Sequence, residues 1–108
     1  MDPGGRTPQE LETLLEDALL SCDADALSGL FRNDGVLVIG QAGRLTRGPA
    51  DLNRVTALLE RHPGGYVAEP CLVLQARRTA LVMGEHAINV ARRDRSGSWR
   101  YAISILTW

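Results

Sequence analysis

The sequence predicts an α+β fold in which helices pack on one face of a mostly antiparallel sheet. Two patterns lead there. Over about the first sixty residues, apolar side chains recur three and four apart, the spacing of a helix face; further on they fall into three strand-like segments divided by turn residues. Helices grouped ahead of strands, rather than alternating with them, are the order of an α+β domain. With 108 residues, 44% of them hydrophobic, the chain suits one core and one domain.

The opening "MDPGGRTPQE" is polar, so residues 1–7 are expected to be flexible and residues 8–108 to form the single domain. Leu11, Leu14, Leu15, Ala18 and Leu19 then mark a helix over about residues 8 to 21, with acidic residues between them. Thr7 suits its N-cap, Pro8 its first position, and Glu10 stands three residues after the threonine as in a capping box. "CDAD" breaks this helix. A second, short helix is expected from Ala24 to Phe31, with Leu27, Leu30 and Phe31 turned inward, ended by a turn at Asn33-Asp34-Gly35.

"VLVIG", residues 36–40, reads as a strand, and "QAGRLTRG" as a connection with a second extended piece near Arg44 to Thr46. Pro49 opens a third helix through "ADLNRVTALLERH", with Leu52, Val55, Leu58 and Leu59 on one face, until "PGG" stops it. The rest reads as three strands, "YVAEPCLVLQAR", "TALVMGEHAINVARR" and "SWRYAISILTW", divided at Arg77-Arg78 and at Asp94-Arg95-Ser96-Gly97.

A net charge of −1 and a pI near 6.1 supply no field to attract nucleic acid or an anionic membrane, and neither is expected as a partner. All twelve basic residues are arginine, which excludes lysine Schiff-base and P-loop chemistry. Cys22 and Cys71 have no zinc-like spacing and read as reduced, partly buried thiols, so neither a metal nor another cofactor is expected. Gly40, Gly43 and Gly48 fit no nucleotide-binding motif and read as turn glycines, and "ARRDRSGS" reads as a solvated hairpin loop. Neither a signal sequence nor an apolar run of about 20 residues is present, which makes the cytoplasm the expected location.

The stretch "GEHAIN" draws attention because His86 is one of only two histidines. Read as one continuous strand, the segment sends Val82, Gly84, His86, Ile88 and Val90 to one side and Leu81, Met83, Glu85, Ala87, Asn89 and Ala91 to the other. The even set is the more apolar and is expected to face the helices. His86 would then be an inward titratable group, fit to act as general acid or base near neutrality, or a structural histidine bonded to a neighbouring element.

The order of "CDADALSGLFRNDGVLVIG", "GRLTRGPADLNRVTALLE" and three strands closing on "GSWRYAISILTW" resembles the NTF2-like superfamily, and within it the SnoaL-like and ketosteroid-isomerase-like small proteins. The resemblance implies a cone-shaped, cystatin-like fold whose strongly curved sheet wraps the first helix. It also implies an apolar pocket for a small molecule and a homodimer formed through the outer sheet face. The pocket would be lined by Leu15, Phe31, Ile39, Leu58, Ile88, Tyr101, Ile103 and Ile105, with Tyr101 offering its hydroxyl to a ligand or simply filling the core.

The isomerase pattern is incomplete. Ile39 or Val38 stands where those enzymes keep a basic aspartate, and the first helix has no tyrosine. Asp34 reads as a turn cap, Arg44 and Arg47 as surface residues, and His62 as a helix terminus. Two functions follow. One is a SnoaL-like pocket protein that binds an apolar ring compound, with His86 as the candidate for isomerase- or cyclase-type proton transfer. The other is a non-catalytic dimeric binding or association module using Leu81, Met83, Leu106 and Trp108 on the outer sheet face.

Overall fold

The computed structural model describes residues 4–39, 44–47 and 69–107. The expected third helix, with Leu52, Val55, Leu58 and Leu59, lies outside them, as does Trp108. Helix α1 runs Pro8–Leu20 and begins as its sequence requires: the Thr7 hydroxyl accepts from the Glu10 N–H at 3.0 Å. It ends in a Schellman motif. Asp23 N–H bonds the Ala18 carbonyl, Cys22 N–H bonds that of Leu19, and Cys22 takes the left-handed conformation with φ 51°. Helix α2, Ala24–Gly29, is capped by Asp23, whose carboxylate accepts from Ala26 N–H at 3.1 Å.

Among the described residues, six strands form one sheet: β1 (Phe31–Ile39), β2 (Arg44–Arg47), β3 (Pro70–Ala76), β4 (Thr79–Gly84), β5 (Ala87–Arg93) and β6 (Trp99–Leu106). Their order is β2-β1-β6-β5-β4-β3, and of these neighbours only β1 and β6 run parallel. Ahead of α1 the chain touches the sheet at one point. Gly5 pairs with Trp99, each N–H reaching the other's carbonyl, just beyond the end of β1 on β6.

Three departures from the expected elements set the geometry of the site. First, Phe31 opens β1 instead of closing α2, and Asn33-Asp34-Gly35 is a bulge within that strand rather than a turn before it. The register passes from Phe31 opposite Tyr101 to Val36 opposite Ile103. The bulge folds back so closely that a Cβ on Gly35 would lie 2.9 Å from the Arg32 carbonyl oxygen and 3.0 Å from that of Tyr101.

Second, "TALVMGEHAINVARR" is two strands. Gly84 pairs with Ala87 across a turn made by Glu85 and His86, so side-chain parity reverses there: Ala80 and Val82 are buried on β4, but Ala87, Asn89 and Ala91 on β5. Third, Val90 pairs with Ile103 while Ala91 pairs with Tyr101, which leaves Ala102 as an extra residue on β6. That bulge keeps Trp99, Tyr101, Ser104 and Leu106 buried and turns Ile103 outward.

The core lies between the inner sheet face and the two helices. Leu11, Leu15, Ala18 and Leu19 of α1 join Leu27, Leu30, Phe31, Leu37, Trp99, Tyr101 and Leu106 there, and the Phe31 and Tyr101 rings meet at 5.4 Å between centroids. Burying an aliphatic side chain of this kind contributes about 1.5–3 kcal/mol, which is why α1 docks by its leucine face.

Candidate functional site

Four polar side chains interrupt this apolar interior. Glu12 occupies a core position on α1, one residue after Leu11 and three before Leu15, and is 3% exposed. From β5, the Asn89 amide donates to both of its carboxylate oxygens, at 3.2 Å to Oε1 and 2.9 Å to Oε2. The Tyr101 hydroxyl of β6 also donates to Oε2. The Ser104 hydroxyl, directly across the β5–β6 ladder from Asn89, donates at 2.6 Å to its Oδ1.

Each donor has an acceptor of matching chemistry. Ser104 engages the amide oxygen, which turns the amide NH₂ toward Glu12, whose carboxyl oxygens accept the donors that reach them. Among the described residues no buried side-chain nitrogen or oxygen lacks a partner. The network joins one helix and two adjacent strands, so its geometry is set by the packing of α1 across the sheet.

The residues expected from the sequence are distributed differently. His86 does not point inward: it sits on the β4–β5 turn with its side chain 56% exposed, and its nearest ionic neighbour is Glu85 at 3.9 Å. Ile88 and Ile103 are each 43% exposed and face away from the helices, because the turn and the β6 bulge reverse the parity assumed for them. Ile105 shares their side, opposite Ile88. Leu15, Phe31 and Tyr101 are in the core as expected. Ile39 pairs with Leu106, but its side chain lies outside the described residues, and so does Leu58.

Asn89, expected on the outer face, is fully buried; Leu106, also expected there, is buried too. Cys71, expected to be partly buried, is exposed, while Cys22 is half-buried. Glu12 could have been found from the helix period. Positions 8, 11, 12, 15 and 19 form one face, and an acid at 12 breaks an otherwise apolar stripe.

Among the described residues, an open cleft of about 860 Å³ is bordered by α2, the β1 bulge and the β5–β6 hairpin. Its charges pair with one another, Arg32 with Asp34 at 3.8 Å and Arg100 with Asp94. That self-pairing makes the cleft a weaker candidate than the interior network. Asp94 itself belongs to the hairpin turn. Bonds from the Ser96 hydroxyl, the Ser98 and Ser96 N–H groups and the Arg100 guanidinium hold its carboxyl below the ordinary 3.8, against the opposing effect of burial.

The outer sheet face is the reverse of the inner one. Cross-strand pairing aligns Leu72, Met83, Ile88, Ile105 and Val38 in one row and Leu74, Leu81, Val90, Ile103 and Val36 in the next. Leu72, Leu74, Met83, Ile88 and Ile103 are 36–53% exposed. Beyond the second row stand Thr79, Arg92 and Arg100, so the face is apolar in the middle with a polar edge.

No protein-family model matches the chain, and no curated protein matches it. Solved structures do. A ketosteroid isomerase-like protein from Erwinia carotovora atroseptica aligns with a TM-score of 0.73 and 20% identity over 90% of this chain and 89% of that one. An NTF2-like protein with a cystatin-like fold from Novosphingobium aromaticivorans gives 0.70 and 20%, over 92% of this chain and 77% of that one. A chain assigned as a calcium/calmodulin-dependent protein kinase type II association domain, from Thiobacillus denitrificans, gives 0.74 and 13%, over 94% of each. At these identities the likeness speaks to the fold and not to the activity.

Proposed function

On the premise that this chain has the cystatin-like α+β fold of the NTF2-like superfamily, we propose that it is a binding module that works as a homodimer joined through the outer face of its sheet. One observation carries this: two adjacent apolar rows, spanning five strands, stand on the face opposite α1 and α2. Contiguous apolar patches of that kind on a small domain mark association surfaces. A second copy is the fitting occupant, because a two-fold contact needs a self-complementary patch and this one is apolar with a polar edge. The fold likeness to an association domain is consistent with that reading.

Sedimentation or light scattering at micromolar concentration tests it. The native chain is expected to be a dimer, and Leu81→Glu with Ile103→Glu is expected to give a folded monomer. A strictly monomeric native chain overturns the reading.

A second reading, a SnoaL-like or ketosteroid-isomerase-like protein that binds an apolar small molecule in its interior, is favoured by the buried Glu12 network. In that reading the polar centre is Glu12 rather than His86, whose exposed place on a turn removes the observation that suggested it.

A further inference from the structure

We infer that the two copies stack with their strands antiparallel, so that the Glu85 turn of each protomer lies against Arg92 of its partner. This rests on the reading of a dimer joined through the outer sheet face, and names how the second copy sits on it. The support is a charge asymmetry along β3, β4 and β5. At one end stand Glu85 and His86 in the β4–β5 turn and Glu69 just ahead of β3, brought there by the pairing of Pro70 with Gly84. At the other end stand Arg77 and Arg78 in the β3–β4 turn and Arg92 and Arg93 on β5, all four exposed. Arg93 N–H bonds the Arg78 carbonyl at 2.8 Å, and Arg92 lies directly across the ladder from Arg100. Like charges so placed repel, and the nearby Asp94 carboxylate is engaged by its own turn and by Arg100. Arg77 also takes the left-handed conformation, φ 56°, where glycine or asparagine is the ordinary choice. Cations are thus held at this end against both local repulsion and turn preference, a departure from folding rules that points to a function.

The apolar rows lie midway between these ends. Along β4 and β5 the outer face runs from the Glu85 turn through Met83 and Ile88, then Leu81 and Val90, to Thr79 and Arg92. Rows on one face are about 6.6 Å apart, so the acidic turn and Arg92 lie roughly 20 Å apart, one row spacing beyond either side of the apolar pair. Two kinds of two-fold axis lay this face on a copy of itself. An axis along the strands sets each row on its own counterpart and brings the two arginine ends together. An axis across the strands, passing between the apolar rows, exchanges them: Met83 and Ile88 pack on the partner's Leu81 and Val90, and the Glu85 turn comes over the partner's Thr79 and Arg92. By symmetry that contact between acid and base forms twice. Sheets packed face to face keep their strands within about 30° of alignment, which holds β5 over β5. The apolar rows supply the affinity, and the charged ends choose the orientation.

Sedimentation equilibrium tests the orientation. For the native chain, raising sodium chloride from about 20 mM to about 300 mM is expected to weaken the dimer several-fold, because salt screens attraction between the ends. With the strands parallel, salt would screen repulsion and tighten it. At the lower salt, Glu85→Arg and Arg92→Glu are each expected to weaken association about fivefold or more, since each creates two contacts between like charges. Both substitutions in one chain restore opposite charges and are expected to recover most of the loss. Glu85 and Arg92 are exposed, so circular dichroism should show these variants folded. Dimers that tighten with salt, or single reversals without effect, overturn the antiparallel stacking and leave the dimer standing. A double variant no better than the single ones overturns the pairing of Glu85 with Arg92. A native chain that stays monomeric overturns the dimer and the stacking together.

Discussion

The two faces of the sheet invert the usual arrangement. The inner face encloses a carboxylate, an amide and two hydroxyls among leucines, whereas the outer face presents rows of leucine, isoleucine, methionine and valine to solvent. A strand alternates sides by construction, so one backbone carries both: Asn89 is buried between Ile88 and Val90, which point the other way. Polar groups inside cost stability unless every bond is made, and apolar groups outside cost solubility unless something covers them. A chain selected only to fold would keep neither.

Breaking the inner face gives the largest expected effect. Asn89→Leu removes both amide bonds to Glu12 and leaves the Ser104 hydroxyl without its acceptor, so a loss of about 3–5 kcal/mol is expected, as when one partner of a buried charge is deleted. Chemical denaturation measures it. A loss below about 1 kcal/mol would mean that the carboxylate is solvated in the native protein, contrary to its burial.

Converting the whole network is expected to act in the opposite direction. With Glu12→Leu, Asn89→Leu, Tyr101→Phe and Ser104→Ala together, no polar group of the four remains to be desolvated. The domain should be as stable as the native one or up to about 4 kcal/mol more so. Equal or higher stability would sharpen the contrast between faces, because it would show that folding does not require the polar interior.

The outer face should respond in a third way. Ile103→Ser alters a half-exposed side chain, so in dilute solution the stability of the monomer should change by less than about 1 kcal/mol. Its self-association, read by sedimentation, should weaken clearly. A large loss of monomer stability would instead assign the apolar rows to the core.

Much of this fold was legible in the sequence, and the failures share one cause. The helix face of α1, its Thr7 cap, the strand near Arg44 and the closing hairpins follow from local rules, which depend on residues a few positions apart. Site residues depend on parity along strands, and parity is reset by single events. A two-residue turn at Glu85-His86 and one extra residue at Ala102 sufficed to expose His86, Ile88 and Ile103 and to bury Asn89 and Ser104. Neither event carries a glycine-rich turn signature: Glu85 and His86 are ordinary strand-compatible residues, and Ala102 sits within an apolar run. Glu12 was accessible from the helix period. Its partners were not, because Tyr101 and Asn89 reach it only through tertiary packing.

The smallest expected effect compares two carboxylates that each accept several bonds, Glu12 inside and Asp94 at the edge of the sheet. The Ser96 hydroxyl, the Ser98 and Ser96 amides and Arg100 favour the ionised form of Asp94, so its folded-state value lies below the ordinary 3.8. A group depressed in the folded state contributes stability that is present above the unfolded value and lost as pH falls through the folded one. Asp94 should therefore add nothing to the pH dependence near neutrality and should steepen the loss of stability below about pH 4. Asp94→Asn keeps an acceptor for the turn but removes the charge facing Arg100, for a cost on the order of 0.5 kcal/mol at neutral pH, as for surface ion pairs. Thermal melts of native and variant chains should thus differ slightly at pH 7 and converge in acid. If they diverge in acid instead, the turn does not hold Asp94 ionised, and the contrast between an edge carboxylate held by its turn and an interior one held by packing would fail.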